Sequence, residues 1–306
     1  MPRLALVTDS TSGLIGPALA GLGITVVPLH VIFGDEDLTE GVDITPLEVA
    51  ERLRKEPRVS TSRPSPRAFL QVYESLAAQG VSRILSMHLS AQLSGTCEAA
   101  TLAARDAPVP VRVVDSGLVG GGLGLAALGA ARELAALSDD AADDESAEAG
   151  VEQIAARLLG AATSTVTLFY VHTLEFLRRG GRIGAASAFL GGALGVKPLL
   201  ELADGHIEPV EKLRTQGRAL ARLHDIGLER VREAGVPLRV VVHHVDAAAR
   251  AQAFAETLAA DLLAIDALIG QPEVVPLPAV LAAHVGPGAL GAVLVPGAHE
   301  PLAPHV

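Results

Sequence analysis

The chain has no tryptophan, one cysteine, two methionines and few aromatics of any kind, with two Tyr and six Phe in 306 residues. Its core must therefore be built from aliphatic side chains and alanine. The single Cys97 excludes an intramolecular disulfide, in keeping with a reducing cytoplasm. Beside a serine-rich loop it reads as a small buried helix residue rather than a reactive thiol. Positive charge is also short. The 24 Lys and Arg against 35 Asp and Glu leave a net charge of −11, which argues against nucleic acid as a partner, because phosphate contacts need clustered basic residues. Long apolar runs are missing too. Residues 116–131 are too few and too glycine-rich to span a bilayer, and 274–298 are broken by Pro276, Pro278, Pro287 and Pro296. Met1-Pro2-Arg3 leads straight into Leu4-Ala5-Leu6-Val7 without a secretory pattern. The expectation is a soluble, cytoplasmic protein.

Glycine is what the chain has in abundance, 31 residues in a composition that is 49% hydrophobic. Its length is enough to bury a real core in two domains or one large one. Leu4-Ala5-Leu6-Val7 reads as a first strand, closed by the capping residues Thr8-Asp9-Ser10-Thr11-Ser12. Residues 24–33 form a longer extended run in which Pro28 marks an edge position or a break. Thr45-Pro46 opens a helix to about Lys55, with Thr as N-cap and Pro at the first helical position. Helices over 67–79 and 98–105 flank a strand at 83–89, and a further strand ends at Asp115-Ser116. This alternation predicts a doubly wound, mostly parallel sheet. Residues 118–137 read as a long helix; 138–150, rich in acid without a basic residue, read as a solvated linker or helix start rather than a metal site. The boundary is expected near residue 160, giving domains 1–160 and 161–306. In the second, strands at 165–171, 238–243 and 292–295, a hairpin split by Asp204-Gly205, and helices at 184–195, 215–234 and 246–260 predict another α/β domain.

Candidate chemistry concentrates in two hydroxyl-rich loops. Ser90-Ala91-Gln92-Leu93-Ser94-Gly95-Thr96 stands between a strand and a helix. There free N–H groups and the positive end of the helix dipole favour an anion. Ser60-Thr61-Ser62-Arg63-Pro64-Ser65-Pro66 is expected in an equivalent place one unit earlier. Ligands of doubly wound sheets sit beyond the carboxyl ends of the strands, where both loops fall. Together the loops are expected to hold one small acidic group.

Other motifs carry less. Gly122-Leu123-Gly124-Leu125-Ala126-Ala127 matches a relaxed dinucleotide fingerprint but lacks an acidic residue at the end of a following strand. Close helix packing or room for a ligand tail explains it better. Val196 and Pro198 around Lys197 rule out a P-loop. With no Gly-x-Ser-x-Gly elbow, Ser94 lacks the strained turn of an α/β hydrolase. His243-His244 reads as a strand end. His284, among small residues before Gly286-Pro287-Gly288, is either a ligand contact or a loop histidine. Arg182 either pairs with an anion or caps the preceding helix. Capping accounts for Asp9, Ser10 and Ser116. No cofactor and no metal is implied.

With these pieces in place, the chain resembles the DegV family, whose members bind fatty acids. The matching residues are Thr8-Asp9-Ser10-Thr11, Thr61-Ser62-x-Pro64-Ser65, Leu89-Ser90-x-x-Leu93-Ser94-Gly95-Thr96 and Asp115-Ser116. In the second half they are Leu177-x-x-Gly180-Gly181-Arg182-Ile183, Lys197-Pro198 and His284-x-Gly286-Pro287-Gly288-Ala289-Leu290-Gly291. They run in the family's order over nearly the whole chain. Arg63 stands where the family usually has Gln, Ala91 where a second Ser is common, and the acidic stretch 138–150 is enlarged. The resemblance implies two domains with a fatty acid in a tunnel between them. It implies a carboxylate held by Thr61 and Ser94, assisted by Ser62 and His284, with Arg182 and Gly95 as further head-group or partner contacts. It also implies that some members are carriers without chemistry of their own, presenting the acid to a separate ATP-dependent fatty-acid kinase for phospholipid synthesis. A carrier of this kind is the expectation here, with transient contact at a membrane surface.

For a long-chain acid of roughly C14–C18, burial at ~0.8 kcal/mol per methylene contributes on the order of 10 kcal/mol. The tail would then dominate affinity and the head group orientation. The small residues at 117–131 and 184–195 either leave room for such a tail or pack helices tightly; the sequence alone does not separate these. Two rivals stand beside this reading. One is a serine hydrolase or acyltransferase with Ser94 as nucleophile and His284 as base. The other is a phosphate-binding protein that uses the same anion logic for a shorter ligand.

Overall fold

Alternate side chains of the first strand enter two different cores, and this sets the layering of the N-terminal half. Leu4 and Leu6 join one cluster, Ala5 and Val7 another, as a strand buried on both faces requires. The computed structural model describes residues 3–14, 19, 21–56, 58–140, 143–189 and 196–297. In chain order it contains β1 (Leu4–Asp9), β2 (Ile24–Val27), β3 (His30–Phe33), β4 (Glu36–Thr39), α1 (Pro46–Lys55), β5 (Ser60–Ser62) and α2 (Pro66–Ala78). There follow β6 (Arg83–His88), α3 (Thr96–Ala104), β7 (Val111–Asp115), α4 (Gly120–Asp140) and α5 (Asp144–Ser164). The second half runs β8 (Val166–Tyr170), α6 (Glu175–Arg179), β9 (Lys197–Ala203), β10 (His206–Leu213) and α7 (Gln216–Ala234). It closes with β11 (Leu238–His244), α8 (Ala248–Leu263), β12 (Glu273–Pro276), α9 (Ala279–Val285) and β13 (Leu290–Pro296).

The first sheet has the order β2-β1-β6-β7 and is parallel throughout. On one face Phe69 and Tyr73 of α2 and Ala99 and Ala100 of α3 pack on it; on the other lie Leu123, Leu134 and Leu158 of α4 and α5. This is the expected doubly wound arrangement. The expected single run at 24–33 divides at Pro28-Leu29. Its first part is an edge strand of the parallel sheet, and its second part belongs to a separate antiparallel sheet, β4-β3-β5. Proline has no N–H to give to a ladder, which makes it a natural point for a strand to change sheets.

The second sheet is where the expected α/β alternation misleads most about pairing. Its order is β10-β9-β8-β13-β11-β12, and only β11 and β12 run parallel. The hairpin β9–β10 turns through Asp204 and Gly205 at φ 49° and 76°, the pair of left-handed residues that a two-residue hairpin turn needs. One face of this sheet, with Leu168, Tyr170, Val240, Val242 and Leu294, is covered by α7 and α8. The other carries Val241 and Val293 into the cluster shared with α4. There Gly121 is required: a Cβ on it would stand 2.8 Å from Cγ1 of Val241. Gly121 thus serves close packing of α4 on the sheet, while Gly120 lines the cavity described below.

Local signals explain several boundaries. Thr45 and Glu48 form a reciprocal capping box with Pro46 at the first turn of α1. Ser65 and Thr215 cap α2 and α7 through their hydroxyls. The acidic stretch 138–150 divides between the end of α4 and the start of α5, with 141–142 outside the described residues. Among the described residues no cluster of three potential metal ligands occurs. Of the small-residue segment expected as a helix at 184–195, residues Gly184–Phe189 form a 3-10 helix and 190–195 lie outside the described residues. No helix among the described residues is long and apolar enough to cross a membrane.

Candidate functional site

A cavity of about 360 Å³ lies where the parallel sheet, the small antiparallel sheet and the inner face of the second sheet meet. Its wall is mostly aliphatic, including Leu29, Leu89, Leu202, Val280 and Val293. All six residues expected at a head group line it: Thr61, Ser62, Ser94, Gly95, Arg182 and His284.

Two corrections concern how they arrive there. Ser60–Ser62 is not a loop beyond a parallel strand; it is β5, paired antiparallel with β3, with Thr61 opposite Val31. His284 is not on a loop; it occupies the last turn of α9, one residue before its end. The Gly-Pro-Gly that follows ends this helix, and Gly286 supplies the C-cap.

The polar groups form a connected rim. Oγ1 of Thr61 is 2.8 Å from Nε2 of His284. Arg182 donates from Nε to the carbonyl of Leu93 (3.0 Å) and from Nη1 to that of Gly180 (2.6 Å). Gly180 in turn lies against the His284 ring. Burial, with the Arg182 charge second, pulls His284 down to about 4, so at neutral pH its ring is uncharged and Arg182 supplies the positive field. Ser94 Oγ bonds Oγ1 of Thr96 at 2.9 Å. His284 is engaged by Thr61 and Ser94 by Thr96, so the nucleophile–base pair of the hydrolase reading is not assembled. The Arg63 guanidinium lies across Gly95 and pairs with Glu98 at 3.1 Å.

Not every hydroxyl of the loop faces the cavity. Ser90 is fully buried and donates to the carbonyl of Gly205 at the tip of the β9–β10 hairpin (2.7 Å). Cys97 is buried, its thiol pushed up to about 12 mainly by desolvation; it is an inert packing residue. Asp9 serves as a cap, accepting from Thr11 N–H. Ser116 and Ser10 do not: Ser116 Oγ accepts from Leu118 N–H in a turn before α4 and donates to the carbonyl of His88, and Ser10 Oγ donates to Glu40.

Sequence reasoning missed three features. His243 and His244, read as a strand end, both line the cavity, and His243 Nε2 accepts from Gly121 N–H at 2.7 Å. Glu40 is buried behind the wall, accepting from Ser10 Oγ and from Val280 N–H. A sealed chain runs Tyr73 OH to Ser86 Oγ (2.8 Å), Ser86 Oγ to His88 Nε2 (2.8 Å) and His88 Nδ1 to Asp9 Oδ2 (3.1 Å). All four residues are fully buried and away from the cavity. This acid–imidazole–hydroxyl order resembles a triad, but here it ties β1, β6 and α2 together. The alternating positions of Ser86 and His88 on β6 were the available signal.

The profile of the family described as "Uncharacterised protein, DegV family" matches residues 3–297. A DegV domain-containing protein of Streptomyces coelicolor is 46% identical over 294 residues, covering 95% of this chain and 98% of its own. Among solved structures, a DegV family protein of Thermus thermophilus described for fatty acid binding is 33% identical with a TM-score of 0.80, over 96% of this chain and all of that one. DegV of Bacillus subtilis, described as a fatty acid binding protein, is 29% identical with a TM-score of 0.82, over 97% of this chain and all of that one.

Proposed function

This chain belongs to the DegV family, and we propose that it binds a long-chain fatty acid and presents it to a separate ATP-dependent fatty-acid kinase. The observation that carries the reading is the segregation of the cavity. Thr61, Ser94, His284 and Arg182 form one polar rim on a wall that is mostly aliphatic, with His243, His244 and Thr167 as further polar residues in it. That is the shape of an amphiphile with an acidic head and an apolar tail. An unpaired carboxylate taken out of water costs several kcal/mol, and hydroxyl donors beside a guanidinium offset that cost. The solved relatives of T. thermophilus and B. subtilis, described as binding fatty acids, support the same ligand class.

In this reading Thr61 and Ser94 hold the carboxylate, Ser62 and His284 assist, and Arg182 and Gly95 order the head-group region or the kinase-facing surface. The chain is a carrier and leaves phosphorylation to its partner. Residues 1–160 and 161–306 act as two domains that close on the acid, and the setting is the cytoplasm with transient contact at the membrane surface. Mass spectrometry of lipids extracted from natively purified protein tests the ligand. We expect long-chain fatty acids at close to one per chain; protein that neither carries such an acid nor takes one up after delipidation would overturn the reading.

A further inference from the structure

One buried carboxyl has no part in the binding described so far. Glu40, 3% exposed, directly follows β4 on the small sheet. Its Oε1 accepts the backbone N–H of Val280 at 2.9 Å, and its Oε2 accepts from Ser10 Oγ. Ser10 Oγ in turn accepts from Leu29 N–H at 2.9 Å. Val280 and Leu29 both line the cavity, so Glu40 stands directly behind its wall and grips it at two points.

The grip matters because of what α9 is. The helix has seven residues, its N-cap is Pro278, and no side chain of that cap position bonds its first turn. A helix this short is marginal without tertiary help, and its leading N–H groups need acceptors. Glu40 supplies one from 240 residues away in sequence. One helical turn beyond Val280 stands His284, whose ring meets Thr61.

We propose that Glu40 is a positioning residue for the head-group site: by capping α9 from the opposite sheet it sets the axial position of the helix and hence the placement of His284 against Thr61. Glu40 touches no ligand in this scheme. It acts on an acid only through α9, and a tail without a carboxylate should be nearly indifferent to it. This rests on the fatty-acid reading above and extends it to a residue outside the cavity.

The test is a set of dissociation constants for palmitic acid and methyl palmitate, which share a tail and differ in head-group charge, together with the NMR titration of His284. In Glu40→Ala we expect palmitic acid to weaken on the order of ten-fold, the scale of one lost buried hydrogen bond, with methyl palmitate changed less than three-fold. The His284 titration should move away from its wild-type midpoint in the same variant. Glu40→Gln keeps an acceptor for Val280 N–H and should restore both readouts to near wild type, which a fold too damaged to bind would not do. Equal weakening of acid and ester with an unmoved His284 would overturn the positioning role, as would wild-type values in Glu40→Ala. Wild-type protein that binds neither compound would instead sink the fatty-acid reading itself.

Discussion

Oγ1 of Thr61 and Nε2 of His284 stand 2.8 Å apart across 223 positions of sequence. The contact joins an edge strand of the small sheet to the end of α9 and makes the cavity rim a property of the whole chain. Its pH behaviour follows from the uncharged ring. In the native state His284 stays neutral down to about 4, whereas in the unfolded chain it takes a proton near pH 6.5. Between those values the unfolded state binds more protons, so stability falls as pH is lowered from about 6.5 towards 4 and is unaffected above. The share of His284 is up to about 3 kcal/mol. Urea denaturation at pH 7.5 and 4.5 should show that His284→Asn loses less stability on acidification than wild type. A carboxylate bound beside the ring should raise its midpoint, and an NMR titration unchanged by palmitic acid would contradict the assigned head-group contact.

Ser94→Ala tests the other side of the rim. Removing one hydroxyl that meets a charged group costs about 1.5–3 kcal/mol, ten-fold or more. Acyl-phosphate formation by the proposed partner kinase is expected to suffer more than tail retention, measured as co-purified lipid. Equal losses in both would remove Ser94 from the head-group role.

A fluorophosphonate probe should leave Ser94 unmodified. Its hydroxyl is bonded to Thr96 and the nearby imidazole to Thr61, so no base activates it. Stoichiometric labelling at Ser94 would return the hydrolase reading.

Val293→Phe fills part of the apolar wall. Because Val293 both lines the cavity and packs in the core shared with α4, the added ring should take up ligand space and cost about 1–3 kcal/mol of stability. The preferred acyl chain should shorten in a competition among saturated acids. An unchanged chain-length profile would place the tail elsewhere.

Asp9→Ala addresses the sealed chain. Asp9 accepts from Leu89 N–H (2.9 Å), from Thr11 N–H (3.1 Å) and meets His88 Nδ1, all without solvent. Leaving those groups without their acceptor should cost about 3–5 kcal/mol in urea denaturation. A loss below 1 kcal/mol would show that the chain is dispensable.

Local chemistry made much of this fold legible. Thr45-Pro46 announces α1, Asp204-Gly205 announces a hairpin, and the apolar run Leu4 to Val7 announces a first strand, all of which the structure contains. The elements that escaped are those whose stability is not local. β12 and α9 are framed by Pro276, Pro278 and Pro287, which read as breakers; in fact Pro276 ends a strand and Pro278 starts a helix. β5 has three hydroxyl residues and reads as loop, yet Thr61 pairs with Val31 of β3. The second sheet's antiparallel order depends on pairings over long sequence distances, which periodicity does not carry. The motifs around Thr61, Ser94, Arg182 and His284 marked the rim, but its far partners could not be seen. Glu40 is a lone acid in an acidic turn until Val280 is brought to it.

The bond from Ser90 Oγ to the carbonyl of Gly205 acquires a mechanical meaning beside the one from Arg182 to the carbonyl of Leu93. Both span from the second half of the chain to the single loop that bears Ser94, one at the loop's first residue and one just before Ser94. The β9–β10 hairpin, the Arg182 segment and the Ser94 loop are therefore latched as one body. Opening the rim to admit or release a ligand must either break these two latches or swing hairpin and loop together, so the loop that bears Ser94 is held from both sides by segments about 90 to 115 positions further along the chain.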